Sequence, residues 1–220
     1  MNSIHVIMLI AVLLPTTALS QYTNGARERA HDPLKNTTTW ELAKPAHSTQ
    51  NSLMYDFRKT RWGMSRDQVK ATETGRIEKD DAAMLVYSDV VSGIDAYVVY
   101  FFTYDKLTRT QYAFKRAHAN ENEYLGDFQN IKMTLSHTYG SPRVDKQFWN
   151  NELYRDDHKR WGFAISIGHL SFITQWTNES TDITLMLTGK KYAINFLIDY
   201  ESKILNAQNQ TIGEQHQSGL

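Results

Sequence analysis

Apolar residues along this chain recur at two spacings, and the changes from one to the other mark out the elements. Between residues 122 and 139, Tyr124, Phe128, Ile131, Leu135 and Tyr139 fall three or four apart. That spacing gathers them on one stripe of a helix starting near Asn122. Gly140 can end it at positive φ, and Pro142 cannot continue it. A shorter helix is predicted after Ser65, because Gln68 completes an S-x-x-Q capping box. Val69 is its main apolar residue, Gly75 is placed to end it, and Trp62 and Met64 staple its start to a core.

Elsewhere the period is two. MLVYSDV, IDAYVVYFF and KLTRTQYAF read as three strands, separated by Ser92-Gly93 and by Tyr104-Asp105-Lys106. In the second, Ile94, Ala96, Val98, Tyr100 and Phe102 oppose Asp95, Tyr97, Val99 and Phe101. Neither set is clearly polar, which predicts a central strand covered on much of both sides. LSFITQW, ITLMLT and YAINFLIDY give three more strands, broken by TNESTD and by Gly189-Lys190-Lys191. In RDDHKRWGFAISIG both periods compete; we read it as a helix that Asp157 can cap and Gly168 ends.

A helix followed by a three-stranded meander therefore occurs twice. One apolar helix stripe and one apolar sheet face cover each other, so the predicted class is α+β: two tandem helix-plus-antiparallel-meander units, able to share one sheet. The units are expected over 53–119 and 120–205. Residues 21–52, with Pro33, Pro45 and little apolar periodicity, read as a flexible leader, and 206–220 as a disordered polar tail.

Composition adds location. Val6 to Leu14 form an apolar run, Pro15 breaks it, and Ala18-Leu19-Ser20 offers small residues for cleavage before Gln21. Residues 1–20 thus read as a secretory signal peptide, leaving no integral membrane segment once it is removed. The 220-residue chain has no cysteine, so it folds without disulfides and carries no lipidated thiol. This fits a periplasmic or secreted protein. Lys plus Arg balances Asp plus Glu at 24 each, which speaks against nucleic acid as a partner.

Motifs for chemistry are few. The chain contains no G-x-S-x-G, no H-E-x-x-H and no phosphate-cradling glycine loop. Asp156-Asp157-His158 is the nearest approach to a metal-ligand cluster and reads as a solvated turn; Asp80-Asp81 and Glu121 with Glu123 are paired acids of the same kind. No catalytic, cofactor or metal site is assigned. Aromatics are the more suggestive feature, since they concentrate at binding hot spots. Trp62, Trp149, Trp161 and Trp176 are expected mostly in the core. Tyr97 and Phe101 are the candidate partner-binding pair, because they oppose the better apolar face of their strand.

Gly63-Met64-Ser65 followed by Val69 resembles the G-M-[ST]-x-x-x-V helix start of the small outer-membrane assembly lipoprotein family, the BamE/SmpA-like fold, whose modules also occur in tandem in the beta-lactamase inhibitory proteins. Tyr139-Gly140-Ser141-Pro142 resembles the L-G-x-P that ends the helix in that pattern. The resemblance implies an exported α+β module used for protein contact or envelope scaffolding. The expected function is therefore non-catalytic binding of a protein partner without a cofactor. The alternatives are an inhibitor of an exported enzyme, a small-ligand-binding module, or a hydrolytic enzyme with a site assembled only in space.

Overall fold

The computed structural model describes residues 55–205. The expected signal peptide, leader and tail lie outside the described residues. Within them the order is α1 (Arg66–Thr72), β1 (Ile77–Asp80), β2 (Met84–Val91), β3 (Ile94–Thr103), β4 (Lys106–Phe114), α2 (Glu123–Tyr139), β5 (Val144–Trp149), α3 (Trp161–Ser166), β6 (Leu170–Thr177), β7 (Thr181–Lys190) and β8 (Ala193–Ser202). The eight strands form one antiparallel sheet, in the order β1-β2-β3-β4-β8-β7-β6-β5.

The α+β class holds, and the sheet is two strands wider than the six that the spacing predicts. The additional strands, β1 and β5, are its edges. Their sequences, IEKD and VDKQFW, are charged and little buried. An edge strand pairs on one side only, and charge there blocks further pairing. Such a strand lacks the alternation that identifies a half-buried one.

Three hairpins close through two-residue tips with positive φ at both positions: Ser92-Gly93 (51° and 77°), Tyr104-Asp105 (50° and 56°) and Lys191-Tyr192 (53° and 64°). This matches the right-handed twist of the flanking strands. The last tip differs from the expected Gly189-Lys190-Lys191. Gly189 stays inside β7, paired with Ile194, because the backbone carbonyl of Ile165 approaches so closely that a Cβ there would lie 2.1 Å from its oxygen.

The capping box forms as predicted: Gln68 N–H donates to Ser65 Oγ at 3.3 Å, and Ser65 N–H donates to Gln68 Oε1 at 2.9 Å. The helix ends at Thr72 with Glu73 extended, without needing Gly75. In the ambiguous stretch the helix prevails as α3, preceded by short 3-10 turns over Glu152–Tyr154 and His158–Arg160 and ending before Gly168 at φ +81°. Asp157 makes no capping bond; Asn122 does that work from a distance. Its Oδ1 accepts from Gly162 N–H at 2.6 Å, and its Nδ2 donates to the carbonyls of His158 and Lys159.

The buried apolar residues of all three helices pack on one face of the sheet. Val69 of α1, Phe128, Ile131 and Leu135 of α2, and Ala164 and Ile165 of α3 join Leu85, Val98, Tyr100, Ile183, Leu185, Leu187, Phe196 and Ile198 in one core. A turn ahead of α1 completes this layer. Phe57 packs edge-on against Tyr100 at 5.7 Å, Trp62 Nε1 donates to Thr181 Oγ1 at 2.9 Å, and Ser180 Oγ donates to Asp56 at 2.6 Å. Arg58 reaches Glu73 at 3.0 Å and Asp89 at 2.6 Å. With Phe57 also against Tyr112 and Tyr200, these contacts fix the turn across β2, β3, β4, β8 and β7.

A candidate binding face on the sheet

Strand alternation sends Asp95, Tyr97, Val99 and Phe101 of β3 to the second face. Antiparallel pairing then aligns side chains directly opposite one another into rows. One row runs Met84, Phe101, Arg109, Glu201, Asp182, Thr177 across β2, β3, β4, β8, β7 and β6. The next runs Val86, Val99, Gln111, Asp199, Thr184, Gln175, and the third Ser88, Tyr97, Ala113, Leu197, Met186, Ile173. The third row is apolar towards its β6 end, where Ile173, Met186 and Leu197 cluster with Phe148 beside them. The first two rows carry charge.

Arg109 is the centre of that charge. Its Nε donates to Asp199 Oδ1 at 2.7 Å and lies 3.4 Å from Glu201 Oε1. Its guanidinium also sits over the Phe101 ring, 5.2 Å from the centroid. Lys115 takes the same position over Tyr97 at 4.5 Å. Each aromatic of the candidate pair thus presents its electron-rich face to a cation. Phe101 is half-buried, whereas Tyr97 is only 7% exposed.

Two carboxyls share the one guanidinium, and a third, Asp182, stands across the strand from Glu201. Asp199 is 6% exposed, and burial pushes its carboxyl up against the opposing pull of Arg109. Burial, and then the neighbouring Asp199 charge, push Glu201 up to about 7. Two carboxyls sharing one cation in a poorly solvated place retain a proton between them near neutrality. Asp182, cross-strand from Glu201, is exposed and accepts from Thr177 Oγ1 at 2.7 Å. Gln111, opposite Asp199, is 1% exposed; its side chain helps hold Asp199 ionised, while its Oε1 has no hydrogen-bond partner.

The remaining residues singled out in the sequence go elsewhere. Trp176 is core, its Nε1 donating to Gly140 O at 3.0 Å. Trp149 and Trp161 meet edge to face at 5.8 Å beside α3. Asp156, Asp157 and His158 are exposed, Asp157 pairing with Arg160 and His158 lying against Trp161. Lys70 and Arg66 hold Asp80, and Lys79 holds Asp81, below the usual carboxylate range. Glu123 pairs with His118. Among the described residues no group of three or more His, Cys, Asp or Glu is arranged to hold a metal ion, and no helix is long and apolar enough to cross a membrane.

Arg109, Gln111, Asp199 and Glu201 escaped the reading of the sequence. Their signal was a pair of acids two places apart in FLIDYES, Asp199 and Glu201, in a strand otherwise strongly apolar. Alternation alone makes such acids solvent-facing; only the β4–β8 pairing shows that they meet in the middle of the sheet. Compared with known proteins, the chain matches no family model, no curated protein and no solved structure.

Proposed function

We propose that this protein is a non-catalytic module, exported to the periplasm or secreted, that binds a protein partner through the second face of its sheet. The observation that carries the reading is the placement of Tyr97 and Phe101. They share a face with Arg109, Asp199, Glu201 and Asp182, while the buried apolar residues of α1, α2 and α3 pack on the other face. Aromatics bordered by charge are the usual make-up of a binding hot spot and its rim. The element order supports two tandem helix-plus-meander units joined at β4–β8, in keeping with the resemblance to exported protein-contact modules. An inhibitor of an exported enzyme is the second reading, favoured by the same coincidence of aromatic and acidic side chains on a sheet face.

The test is capture of a stoichiometric partner from an envelope extract of the source, followed by calorimetric titration of that purified protein with wild type and Phe101→Ala. Tyr97 is nearly buried, and truncating it costs about 3–5 kcal/mol, so Tyr97→Phe is the informative change there. The expected result is binding weakened about tenfold or more by Phe101→Ala, as for a hot-spot residue, with the fold intact by circular dichroism. Equal binding by the variant, or no stoichiometric partner, overturns the reading.

A further inference from the structure

The end of the sheet where β7 turns into β8 carries apolar and cationic side chains that its second face does not use. Tyr192 sits at the hairpin tip at φ +64° and is 77% exposed. The tip is held in place from behind: Tyr192 N–H donates to the Ser166 carbonyl at 3.0 Å, and Gly189 lies against the Ile165 carbonyl. The Tyr192 ring lies 6.3 Å from that of Phe163, which meets Tyr154 edge to face at 5.6 Å. Leu153, beside Tyr154 in the same 3-10 turn, is 70% exposed. A hairpin tip and a turn, tied together by aromatic contacts, thus each offer a large apolar side chain to solvent. Cations accompany them. Arg155 pairs with Glu152 and Arg160 with Asp157. Lys159, Lys190 and Lys191 stand exposed, with Asp156 the remaining acid of these two segments.

We propose that this end of the molecule rests on a membrane surface with anionic headgroups, Tyr192 and Leu153 entering the headgroup layer while Lys159, Lys190 and Lys191 meet lipid phosphates. The charge complementarity is local, since the chain as a whole is neutral. Tyrosine suits that layer because its ring is apolar and its hydroxyl stays wet. Lysine suits it because its stem lies along apolar surface while the ammonium reaches the headgroups, and each cation near an anionic bilayer adds to the attraction. A protein partner fits this end less well, because lysine is depleted where proteins meet. The tip and the turn are already ordered, so docking fixes few further degrees of freedom. Contact through the end of the sheet leaves its second face open, and the proposal stands independently of what binds there.

The chain contains no cysteine, so Ala193→Cys, exposed beside the tip, accepts a polarity-sensitive fluorophore at one place in the full chain. The probe is vesicles of phosphatidylcholine and phosphatidylglycerol in equal parts, with phosphatidylcholine alone as the neutral control. The expected result is a saturable blue shift on the anionic vesicles, with binding about tenfold or more tighter than on the neutral ones. In the same labelled chain Tyr192→Asn, a residue that accepts positive φ, weakens binding on the order of tenfold through lost apolar burial. Lys190→Gln with Lys191→Gln weakens it about 25-fold, or about fivefold for each cation. Tyr104→Asn is the internal control and changes nothing: Tyr104 is 81% exposed, also at positive φ, on the β3–β4 tip at the opposite end of the sheet. No shift on anionic vesicles, an equal shift on neutral ones, or equal losses from Tyr104→Asn and Tyr192→Asn overturns the proposal. Circular dichroism confirms that each variant is folded. The vesicles carry no protein, so failure here is distinguishable from a failed capture of a partner.

Discussion

Replacing Glu201 by glutamine removes the ionisation of a group that the fold forces to keep its proton. In the folded protein Glu201 titrates at about 7, against 4.5 ordinarily. Between those values the native state binds a proton that the unfolded chain has released, so rising pH favours unfolding. The stability is present below 4.5, is lost as pH rises through about 7, and is level above. At 1.36 kcal/mol per pH unit the gap is worth ~3 kcal/mol, a substantial part of the roughly 5–15 kcal/mol that holds a domain together. Asp199 shares that proton, so the loss belongs to the pair. Glutamine keeps the size and a hydrogen-bonding head without the charge. Urea unfolding of wild type and Glu201→Gln at intervals between pH 4.5 and 8 reads the effect. The two proteins are expected to be nearly equal at the acid end, with the variant about 2–3 kcal/mol more stable at pH 8. The carboxylates that Lys70, Lys79 and Arg58 hold down act with the opposite sign at lower pH, so the difference between the proteins, rather than either curve, isolates Glu201. Parallel curves would refute the buried, proton-sharing pair, as would a wild type that gains on the variant as pH rises.

Two further changes probe the scaffold that presents the face. Gly162→Ala gains about 1 kcal/mol of helix propensity, yet its Cβ would lie 2.2 Å from the Glu121 carbonyl carbon and 2.4 Å from Asn122 N; overpacking of this kind costs about 1–3 kcal/mol or more. A lowered urea midpoint, with faster amide exchange where α2 meets α3, is expected, and an unchanged midpoint would show that the junction yields freely. Ser65→Ala removes one half of the capping box and is expected to cost about 1 kcal/mol, read by thermal unfolding; Ser65→Asp, which can still cap, should restore most of it.

Local periodicity was enough for the elements whose two sides differ. The stripe from Tyr124 to Tyr139 became α2, and Ile194, Phe196 and Ile198 became the core side of β8, because one face of each meets apolar neighbours. Ser65 and Gln68 specified a helix start by chemistry confined to four residues. The candidate pair was legible only as far as its face: alternation sends Tyr97 and Phe101 away from the helices, but says nothing of the cations lying over their rings. β1 and β5 were not legible, since an edge strand owes its existence to a neighbour's unpaired hydrogen-bonding groups more than to its own side chains.

What the sequence determined alone is whatever depends on residues a few places apart: helix stripes, the capping box, hairpin order and the α+β class. What the tertiary structure decided depends on register between distant strands. Arg109 and Asp199 stand ninety positions apart, and the β4–β8 ladder sets them side by side with Gln111 and Glu201. A carboxyl's proton affinity follows from its solvation and its neighbours' charges, and both are properties of that ladder. The same FLIDYES with its pairing slipped by one residue would turn Asp199 and Glu201 to the helix side and dissolve the cluster.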